Sequence, residues 1–493
     1  MVTSIRKTSS LLKFLPVKNM KFNQKTNNTT ENLAGGQAYK ESEKLEIVSL
    51  LLTSFCTDQF YRKGTDTIDK LAELIKNAED KLFVAKAAIY ARTKFGMRSI
   101  SHVASAEIVK TVKGKEWTKD YLKQVMIRPD DITETFAYYL SKYGKPVPNS
   151  LKKGIARALD KFNGYQLAKY RSAKADVKMV DVVNLIHPTP SATNDEAIAA
   201  LVRGDLKSTE TWESKLTKAG QVAESEEEKE DLKNAAWKEL LTERKLGYFA
   251  LLRNLRNIIE QSPESIQMAC DTLEDETLIT KSLVLPFRFQ TAADEIEKLN
   301  TADARKVLVS IQKALDISVK NVPKFEGETL IALDVSGSMS GRPAEIGALF
   351  AAILAKSNNA DVLMFDTNAT YKEYNPMDSV LTTAKKFKFN GGGTDFDSIF
   401  IGANKKYDRI VILSDMQSWS SYHTPKESFK EYKKKYGADP KIYSFDLQGY
   451  GTLQFPENNV YAITGFSEKV FDIMKLLETD RQALIHEIES III

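Results

Sequence analysis

The sequence predicts two regions of different fold class: an all-helical region, then an α/β region with a mostly parallel, doubly wound sheet. Between about residues 42 and 320 the apolar residues recur at spacings of three and four, and no segment alternates with the period of a strand. After a linker at 321–328, apolar runs alternate with amphipathic segments, as in parallel sheets covered by helices on both faces. The first apolar run of this second region ends in Asp334-x-Ser336-x-Ser338.

The helical region begins with a segment in which Leu45, Val48, Leu51 and Phe55 lie on one face. Further helices, separated by polar breaks and prolines, are predicted at 66–78, 80–95, 100–112, 131–142, 150–172, 178–186, 194–203, 208–218, 226–241, 246–260, 263–273, 290–299 and 301–318. Many helices of this length joined by short loops favour a solenoid of stacked helical pairs. Because the sequence shows no clean repeat, an irregular helical bundle is the alternative.

In the α/β region the predicted strands and helices follow one another in the order expected for a parallel sheet. The strands are 329–334, 360–366, 408–415, 440–446 and 459–463, and the helices are 343–357, 396–406, 425–436 and 467–488. These patterns divide the chain into a basic arm at 1–30, a helical domain at 31–322 and an α/β domain at 328–493.

Three segments of the α/β domain carry oxygen-bearing side chains at predicted strand ends or turns. Asp334, Ser336 and Ser338 follow one strand, Thr394 ends a triple-glycine turn, and Asp415 ends another strand. Ligand sites of open α/β sheets lie at the carboxyl ends of strands, and such oxygens suit a hard divalent cation, here Mg²⁺. The hydroxyls are expected to bind the cation directly, and the carboxylates directly or through water. Asp-x-Ser-x-Ser alone could be a capping turn, which would leave the other two segments unexplained.

Composition is that of an ordinary globular protein of 493 residues, with 28% charged residues and a net charge of +4. This charge is too mild to argue for nucleic acid, and no apolar run is long enough to span a membrane. Cys56 and Cys270 lie in apolar helical patterns and are expected to be reduced core residues of an intracellular protein. Residues 1–30 contain six basic and no acidic residues, which favours a disordered basic arm, with a transit peptide as the alternative.

Basic residues concentrate between 152 and 187, where eight bases accompany three acids. The bases are Lys152, Lys153, Arg157, Lys161, Lys169, Arg171, Lys174 and Lys178. Such a cluster can bind phosphates, and Tyr165 and Tyr170 among them can stack on bases. A solvated helix face explains the same residues, and the pattern alone does not decide between the two.

Five stretches of the helical region, in this order, resemble the Ro ribonucleoprotein family with its TROVE module. They are Asn32–Tyr39 (NLAGGQAY), Lys178–Pro188 (KMVDVVNLIHP), Thr211–Glu213 (TWE), Lys245–Asn257 (KLGYFALLRNLRN) and Leu285–Ala292 (LPFRFQTA). The oxygen-bearing residues of the α/β domain resemble the metal-ion-dependent adhesion site of a von Willebrand factor A (vWA) domain. The resemblance covers nearly the whole chain from about residue 32.

The resemblance implies a ring of HEAT-like helical repeats closed by the vWA domain. It implies binding of small structured non-coding RNA, called Y RNA, on a basic outer surface, and of single-stranded ends of misfolded RNA in a central hole. It further implies a role in RNA quality control beside an exoribonuclease or another RNA-processing protein. The protein itself would be monomeric and cytoplasmic, without catalytic activity.

Residue by residue, the resemblance assigns RNA contacts to the basic stretch and to His187, which precedes Pro188. The expected contact residues are Lys161, Lys169, Arg171, Lys174, Lys178, His187 and Arg256. A helix cap is the alternative role for His187. Arg256 and Asn254 lie on the polar face of a helix, where they would either face the hole or tie helix ends together; the structural role is favoured for Asn254.

Two other classes of function are weighed against RNA binding. A hydrolase finds little support, because Gly337–Gly341 has Met339 where a nucleophile elbow needs serine, and no phosphate loop or zinc-ligand spacing is present. A metal-dependent protein-binding module, adhesive or chaperone-like, would use the cation site and would not need the basic stretch. Charge reversal of Lys169 and Arg171 separates this alternative from RNA binding.

Overall fold

The computed structural model describes residues 29–40, 42–54, 56, 63–171, 175–189, 191–207, 211–282, 284–319, 322, 324–418, 424–454, 460–464, 469–477 and 483–493. The predicted basic arm therefore lies outside the described residues except for Thr29 and Thr30, which begin the first strand. No helix in the described ranges is long and apolar enough to cross a membrane.

A hairpin that the sequence did not predict, β1 (Thr29–Glu31) and β2 (Gln37–Lys40), precedes the helices. The helices of the first region are α1 (Glu43–Thr53), α2 (Gly64–Asn77), α3 (Lys81–Thr93), α4 (Ser99–Thr111), α5 (Trp117–Val125), α6 (Pro129–Tyr143), α7 (Asn149–Leu159), α8 (Gly164–Lys169), α9 (Met179–Ile186), α10 (Asp195–Arg203), α11 (Trp212–Val222), α12 (Glu226–Thr242), α13 (Tyr248–Gln261), α14 (Ile266–Leu273), α15 (Glu276–Ser282), α16 (Pro286–Glu297) and α17 (Ala302–Val319). The all-helical prediction for residues 42–320 is confirmed within the described ranges.

The single helix predicted at 150–172 is wrong, because a capping box divides it. The Asn163 side chain accepts a hydrogen bond from the Gln166 backbone N–H (2.9 Å), and the Gln166 side chain accepts one from the Asn163 N–H (3.0 Å). Helix α7 therefore ends at Leu159, before this pair, and α8 starts directly after Asn163. In the same way, Thr211 caps α11 through the Ser214 N–H, so α11 begins later than the predicted 208–218. Helices α5 and α15 were not predicted.

The second region is built from β3 (Thr329–Asp334), β4 (Asp361–Phe365), β5 (Ala369–Tyr371), β6 (Arg409–Ser414), β7 (Lys441–Asp446), β8 (Thr452–Leu453) and β9 (Val460–Thr464), with α18 (Arg342–Asn358), α19 (Val380–Lys385), α20 (Asp397–Gly402), α21 (Pro425–Tyr436), α22 (Lys469–Leu477) and α23 (Ala483–Glu489). The order β5-β4-β3-β6-β7-β9 forms one sheet, parallel except for β5. The residues between α22 and α23, within the predicted helix 467–488, lie outside the described ranges.

The two faces of this sheet have different neighbours. On one face Leu330 and Ile412 pack with Phe396, Phe400 and other residues from α20 and α21. On the other face, side chains of β3 and α18 join an apolar cluster that continues into the helical region. The α/β domain therefore shares a core with the helices that precede it.

Both ends of the helical series contact the α/β domain. At the beginning, α1 lies against β9 and α3 against α23; at the end, α16 lies against α18 and α17 against α19. The Lys385 ammonium lies 2.6 Å from a Glu297 carboxylate oxygen at the second contact, and the Lys44 ammonium lies 2.7 Å from a Glu489 oxygen at the first. The helical series thus starts and finishes on the same domain, which closes the ring.

Candidate metal centre and nucleic-acid interface

The first segment of the candidate metal centre leaves the fully buried strand β3 at Asp334. One Asp334 carboxylate oxygen accepts a hydrogen bond from the Ser336 backbone N–H (2.9 Å), and the other accepts one from the Ser414 hydroxyl (2.5 Å). The Ser336 and Ser338 hydroxyl oxygens lie 3.3 Å apart. The turn after β3 therefore brings three of the predicted ligands together at the carboxyl end of the strand.

Backbone hydrogen bonds connect the glycine turn before Thr394 to this segment. The Gly337 N–H donates to the Gly392 carbonyl (2.9 Å), and the Gly391 N–H donates to the Val335 carbonyl (3.1 Å). Glycine is required at 392, because a β-carbon there would lie 2.8 Å from an Asp366 carboxylate oxygen. These bonds hold Thr394 beside the first segment.

Asp415 follows β6, the strand next to β3 in the sheet. One of its carboxylate oxygens accepts a hydrogen bond from the Gln417 N–H (3.2 Å), while the other, Oδ2, is buried and has no hydrogen-bond partner among the described residues. The Ser418 hydroxyl donates to the Thr394 carbonyl (3.0 Å) and so joins the second and third segments. The structure brings together all five residues that the sequence selected.

The electrostatics of this cluster are unfavourable without a cation. All five side chains are at most 4% exposed. Burial is the main cause that raises the pKa of Asp334 to about 6. Burial, followed by the neighbouring Asp334 carboxylate, raises the pKa of Asp415 well above its usual value. Two carboxylates, one of which has the unpartnered buried oxygen, and three hydroxyls form a donor set that fits a hard divalent ion.

Residues that the sequence analysis missed form hydrogen bonds with this cluster or order the loops beside it. Besides Ser414 and Gln417, Asp446 at the end of β7 accepts hydrogen bonds from the Gly449 N–H (2.7 Å) and the Gly451 N–H (3.0 Å). These bonds order the loop after β7, which contains Gln448. The Gln448 side-chain amide donates to the Ser338 carbonyl (3.1 Å). All of them follow the ends of β6 and β7, which is the signal that could have found them.

The second candidate site lies on the helical region and is exposed. Its core, the basic–aromatic surface, consists of Arg128, Tyr165, Lys169, Tyr170 and Arg171. The Arg128 guanidinium carbon lies 4.4 Å from the Tyr170 ring centre, and the Lys169 ammonium lies 5.9 Å and 5.7 Å from the Tyr165 and Tyr170 ring centres. Tyr165 is 54% exposed. Cations and aromatic rings therefore alternate here, and sequence analysis missed Arg128, which directly precedes α6.

The other residues predicted to contact RNA differ in their surroundings. Lys178 and His187 are exposed at the two ends of α9, and His187 caps that helix in the left-handed conformation (φ 48°). The Lys161 ammonium donates to the Lys123 carbonyl, and burial is the main cause that lowers its pKa to about 8. Arg171 is exposed and donates to the Leu206 carbonyl (2.8 Å). Lys174 lies outside the described residues.

Arg256 lies apart from this surface, on α13, and lines a pocket of about 500 Å³ between α13 and α16. We call this the arginine pocket; its lining is Phe249, Leu252, Arg253, Arg256, Arg288, Thr291, Ala292, Glu295 and Ile296. Arg256 is paired with Glu260 (3.0 Å), whereas in the described ranges no carboxylate lies within ion-pair distance of Arg253 or Arg288.

The arginine pocket combines like charges with an open ring. The Arg253 and Arg288 guanidinium carbons each lie 5.8 Å from the ring centre of Phe249, which is 40% exposed. Burial, then the Arg342 and Arg253 charges, lowers the pKa of Arg288. An anion would relieve this repulsion. Asn254, by contrast, is buried and donates to the Ala250 carbonyl (2.8 Å), which agrees with its expected structural role.

Comparisons with known proteins agree with this architecture. A model of the TROVE domain matches residues 28–204 and 194–330, and a model of the Ro60 vWA domain matches residues 328–477. The crystal structure of the Deinococcus radiodurans RO (RSR) protein is similar in fold, with a TM-score of 0.60 and 17% sequence identity. That similarity covers 87% of this chain and 99% of the Deinococcus chain.

Among curated proteins, telomerase protein component 1 from Rattus norvegicus and from Mus musculus are each 20% identical to this chain over 349 residues. The matched segment is 52% of this chain and 13% of either relative, so this chain spans only a small part of those longer proteins. The two domain models cover most of the sequence in the predicted order, and they confirm the predicted fold class. The chain is therefore a member of the Ro family of RNA-binding ribonucleoproteins, with a TROVE domain followed by a vWA domain.

Proposed function

We propose that this protein is the RNA-binding component of a ribonucleoprotein and holds a small structured non-coding RNA on the basic–aromatic surface. The observation that carries the proposal is the alternation of Arg128, Lys169 and Arg171 with two aromatic rings, one of them more than half exposed. Lys169 has no carboxylate within ion-pair distance among the described residues, so its charge is available to phosphate. Cations beside stackable rings are the usual means of binding RNA loops and ends.

The second RNA element of the proposal is a single strand in the arginine pocket. Phe249 offers a face on which a base can stack, and Arg253 and Arg288 flank it at equal distances. Their uncompensated charges favour a phosphodiester over a neutral ligand. The ends of misfolded RNAs would bind here while the structured RNA occupies the outer surface, in RNA quality control.

The cation of the vWA domain is proposed to be Mg²⁺, with Asp334, Ser336, Ser338, Thr394 and Asp415 as the residues that hold it. When bound, the ion would supply positive charge to two buried carboxylates and so stabilise the fold. The five side chains are at most 4% exposed, which leaves little access for a carboxylate from a partner protein. Their burial therefore favours RNA binding over the metal-dependent protein-binding module.

We propose no catalytic activity for the chain itself. Hydrolysis at the metal centre would need a second metal or a general base, and in the described part of the chain no group of three or more His, Cys, Asp or Glu residues is placed to hold a metal. Degradation of a bound RNA would then fall to a partner exoribonuclease or another RNA-processing protein. A monomer in the cytoplasm remains the expected form.

The experiment that tests the function is recovery of the ligand. The protein is purified from its native cells at low salt, and the RNA that co-purifies is extracted and sequenced. We expect a discrete small structured RNA, lost from the Lys169→Glu/Arg171→Glu double variant and retained by a Lys281→Glu/Lys306→Glu control with the same charge change. Recovery of no RNA, together with a protein partner whose binding requires Asp334, would overturn the proposal in favour of the protein-binding module.

A further inference from the structure

The hairpin β1–β2, residues 29–40, stands first in the helical domain but is attached to the vWA domain. Strand β2 pairs antiparallel with β8, and Tyr39 lies opposite Leu453. The three strands β1, β2 and β8 form a small sheet separate from the main one. Since α1 follows the hairpin directly, this pairing fastens the beginning of the helical series to the domain on which its end also lies.

Two hydrogen bonds connect the hairpin to the loop that follows Asp415. The Asn32 side-chain amide donates to the Ser418 carbonyl, and the Leu33 N–H donates to the Gln417 side-chain oxygen (2.6 Å). Asn32 is 5% exposed and Gln417 is fully buried, so water does not compete freely for these bonds. The same Asn32 side chain also accepts hydrogen bonds from two N–H groups of its own turn, which fixes its orientation.

The loop residues that hold the hairpin also hold two candidate metal ligands. The Gln417 N–H donates to an Asp415 carboxylate oxygen (3.2 Å), and its side-chain amide donates to the Asp415 carbonyl (3.2 Å). The Ser418 hydroxyl donates to the Thr394 carbonyl (3.0 Å). A shift of Gln417 or Ser418 would therefore displace Asp415 or Thr394, and the hairpin restrains both loop residues.

The two contacts that close the ring are not equivalent. At the α16–α19 side the helical region continues covalently into β3, so the ends there cannot separate. At the hairpin side, which we call the seam, only non-covalent bonds join the helices to the vWA domain. The seam also includes exposed hydrogen bonds. The Lys86 ammonium donates to the Glu489 carbonyl (2.6 Å), and the Gln124 amide donates to the Ile492 carbonyl (2.9 Å). Within the seam, the hydrogen bonds of Asn32 and Leu33 are bonds that reach the loop beside the metal centre.

We propose that cation binding at the metal centre and docking of the hairpin at the seam are thermodynamically linked, with Asn32 and Gln417 as the positioning residues. This inference rests on the proposed cation. A bound cation fixes Asp415 and Thr394, which fixes the loop to which the hairpin binds, and docking of the hairpin prepares the loop for the cation. Linkage of this kind is reciprocal, so loss of either event weakens the other by the same factor. An occupied site locks the ring, and release of the cation lets the seam open.

The test has two parts on the full-length protein, with Mg²⁺ as the probe. Hydrogen exchange of residues 29–40 is measured with and without Mg²⁺, and Mg²⁺ affinity is measured by calorimetry for wild type, Asn32→Ala and Gln417→Met. We expect Mg²⁺ to slow exchange in the hairpin of the wild type. Each variant should bind Mg²⁺ about tenfold more weakly, within the usual range of coupling between sites.

Asn194→Ala is the matched control, because Asn194 is 3% exposed and its amide also donates to backbone carbonyls, those of Leu159 and Phe162, far from the metal centre. It should lower stability and leave Mg²⁺ affinity unchanged. If wild type does not bind Mg²⁺, the proposed cation and this inference both fail. If wild type binds Mg²⁺ while hairpin exchange and the affinities of both variants stay unchanged, the inference fails and the cation proposal stands.

Discussion

The metal centre and the basic–aromatic surface place charge in opposite environments. At the metal centre two carboxylates are buried among hydroxyls, and one carboxylate oxygen has no hydrogen-bond partner within the described ranges. At the basic–aromatic surface Lys169 and Arg171 are exposed, and the Lys169 ammonium lies near both tyrosine rings. Burial makes each unbalanced charge costly, while solvent screens exposed charges at little cost.

This difference separates two kinds of evidence for a binding site. A buried cluster with raised pKa values strongly restricts its ligand, because few ligands other than a small cation offset the cost of burial. An exposed basic surface restricts its ligand less, since water and counterions also satisfy it. The geometry of the candidate metal centre therefore narrows the class of ligand that it can bind, and the basic–aromatic surface needs a measured ligand.

The largest effect is expected from Asp415→Asn, which removes the buried charge and keeps the shape of the side chain. Wild type should gain about 2.7 kcal/mol of stability at a Mg²⁺ concentration one hundred times the dissociation constant, and the variant should gain none. Without Mg²⁺ the variant should be at least as stable as wild type, because an unpaired buried charge is lost. Urea unfolding with and without Mg²⁺ measures both differences. Asp303→Asn, an exposed change on α17, should behave as wild type; loss of stability in metal-free Asp415→Asn would contradict the account.

Next in size is Phe249→Ala in the arginine pocket. Loss of one base-stacking ring should weaken single-stranded RNA binding by about 1–3 kcal/mol. Binding of the structured RNA should not change, because the basic–aromatic surface is untouched. Fluorescence anisotropy with a labelled oligonucleotide gives the affinity, and Val309→Ala, which shortens another exposed apolar side chain, is the control. An equal loss for both kinds of RNA would mean that the two sites are not separate.

A smaller effect is expected from Lys169→Gln/Arg171→Gln on the basic–aromatic surface. The double variant should bind the structured RNA roughly tenfold more weakly at low salt, and the slope of log K against log[salt] should fall by about 2. The measurement is a series of binding isotherms at increasing salt. Arg305→Gln/Lys306→Gln on α17 removes the same charge elsewhere and should keep the wild-type slope. A slope unchanged in the first variant would show that these residues do not contact phosphates.

The smallest effect is expected from Lys161→Met. Its ammonium already donates to a backbone carbonyl, so RNA affinity should change by about twofold or less. Folding lowers the pKa of Lys161 to about 8, so the folded state holds this proton less tightly than the unfolded state, whose pKa is near 10.5. The stability of wild type should therefore rise as the pH increases from about 8 to about 10.5. Urea unfolding across this range should show the gain in wild type and not in Lys161→Met. A large loss of RNA binding would instead place Lys161 at the interface.

The residues that the structure brings together at the candidate metal centre were predicted more completely than those of the basic–aromatic surface, for a physical reason. Each metal residue lies at the end of a strand or in a glycine turn, and a buried strand such as β3 or β6 is recognisable from its own residues. Helix α21 was predicted at its observed bounds, because Thr424, Pro425 and Gly437 mark its ends locally. Local sequence signals were therefore enough to predict these strands and this helix.

Features that depend on distant contacts could not be predicted in this way. Strand β8 forms by pairing with β2, more than four hundred residues earlier, and it is too short to have a strand signal of its own. The arginine pocket draws on α13 and α16, with Arg342 of α18 close by, and no single helix shows the cluster. Arg128, directly before α6, meets Tyr170, directly after α8, only through the tertiary fold. Tertiary structure supplied these sites.

Ultraviolet crosslinking of the native ribonucleoprotein can show whether RNA lies on the basic–aromatic surface. The complex is irradiated, digested and analysed by mass spectrometry for peptides that carry a nucleotide. We predict crosslinks at Tyr165 or Tyr170, because the rings are the groups expected to stack on bases. Crosslinks confined to the vWA domain, or none with RNA present in the sample, would contradict the account.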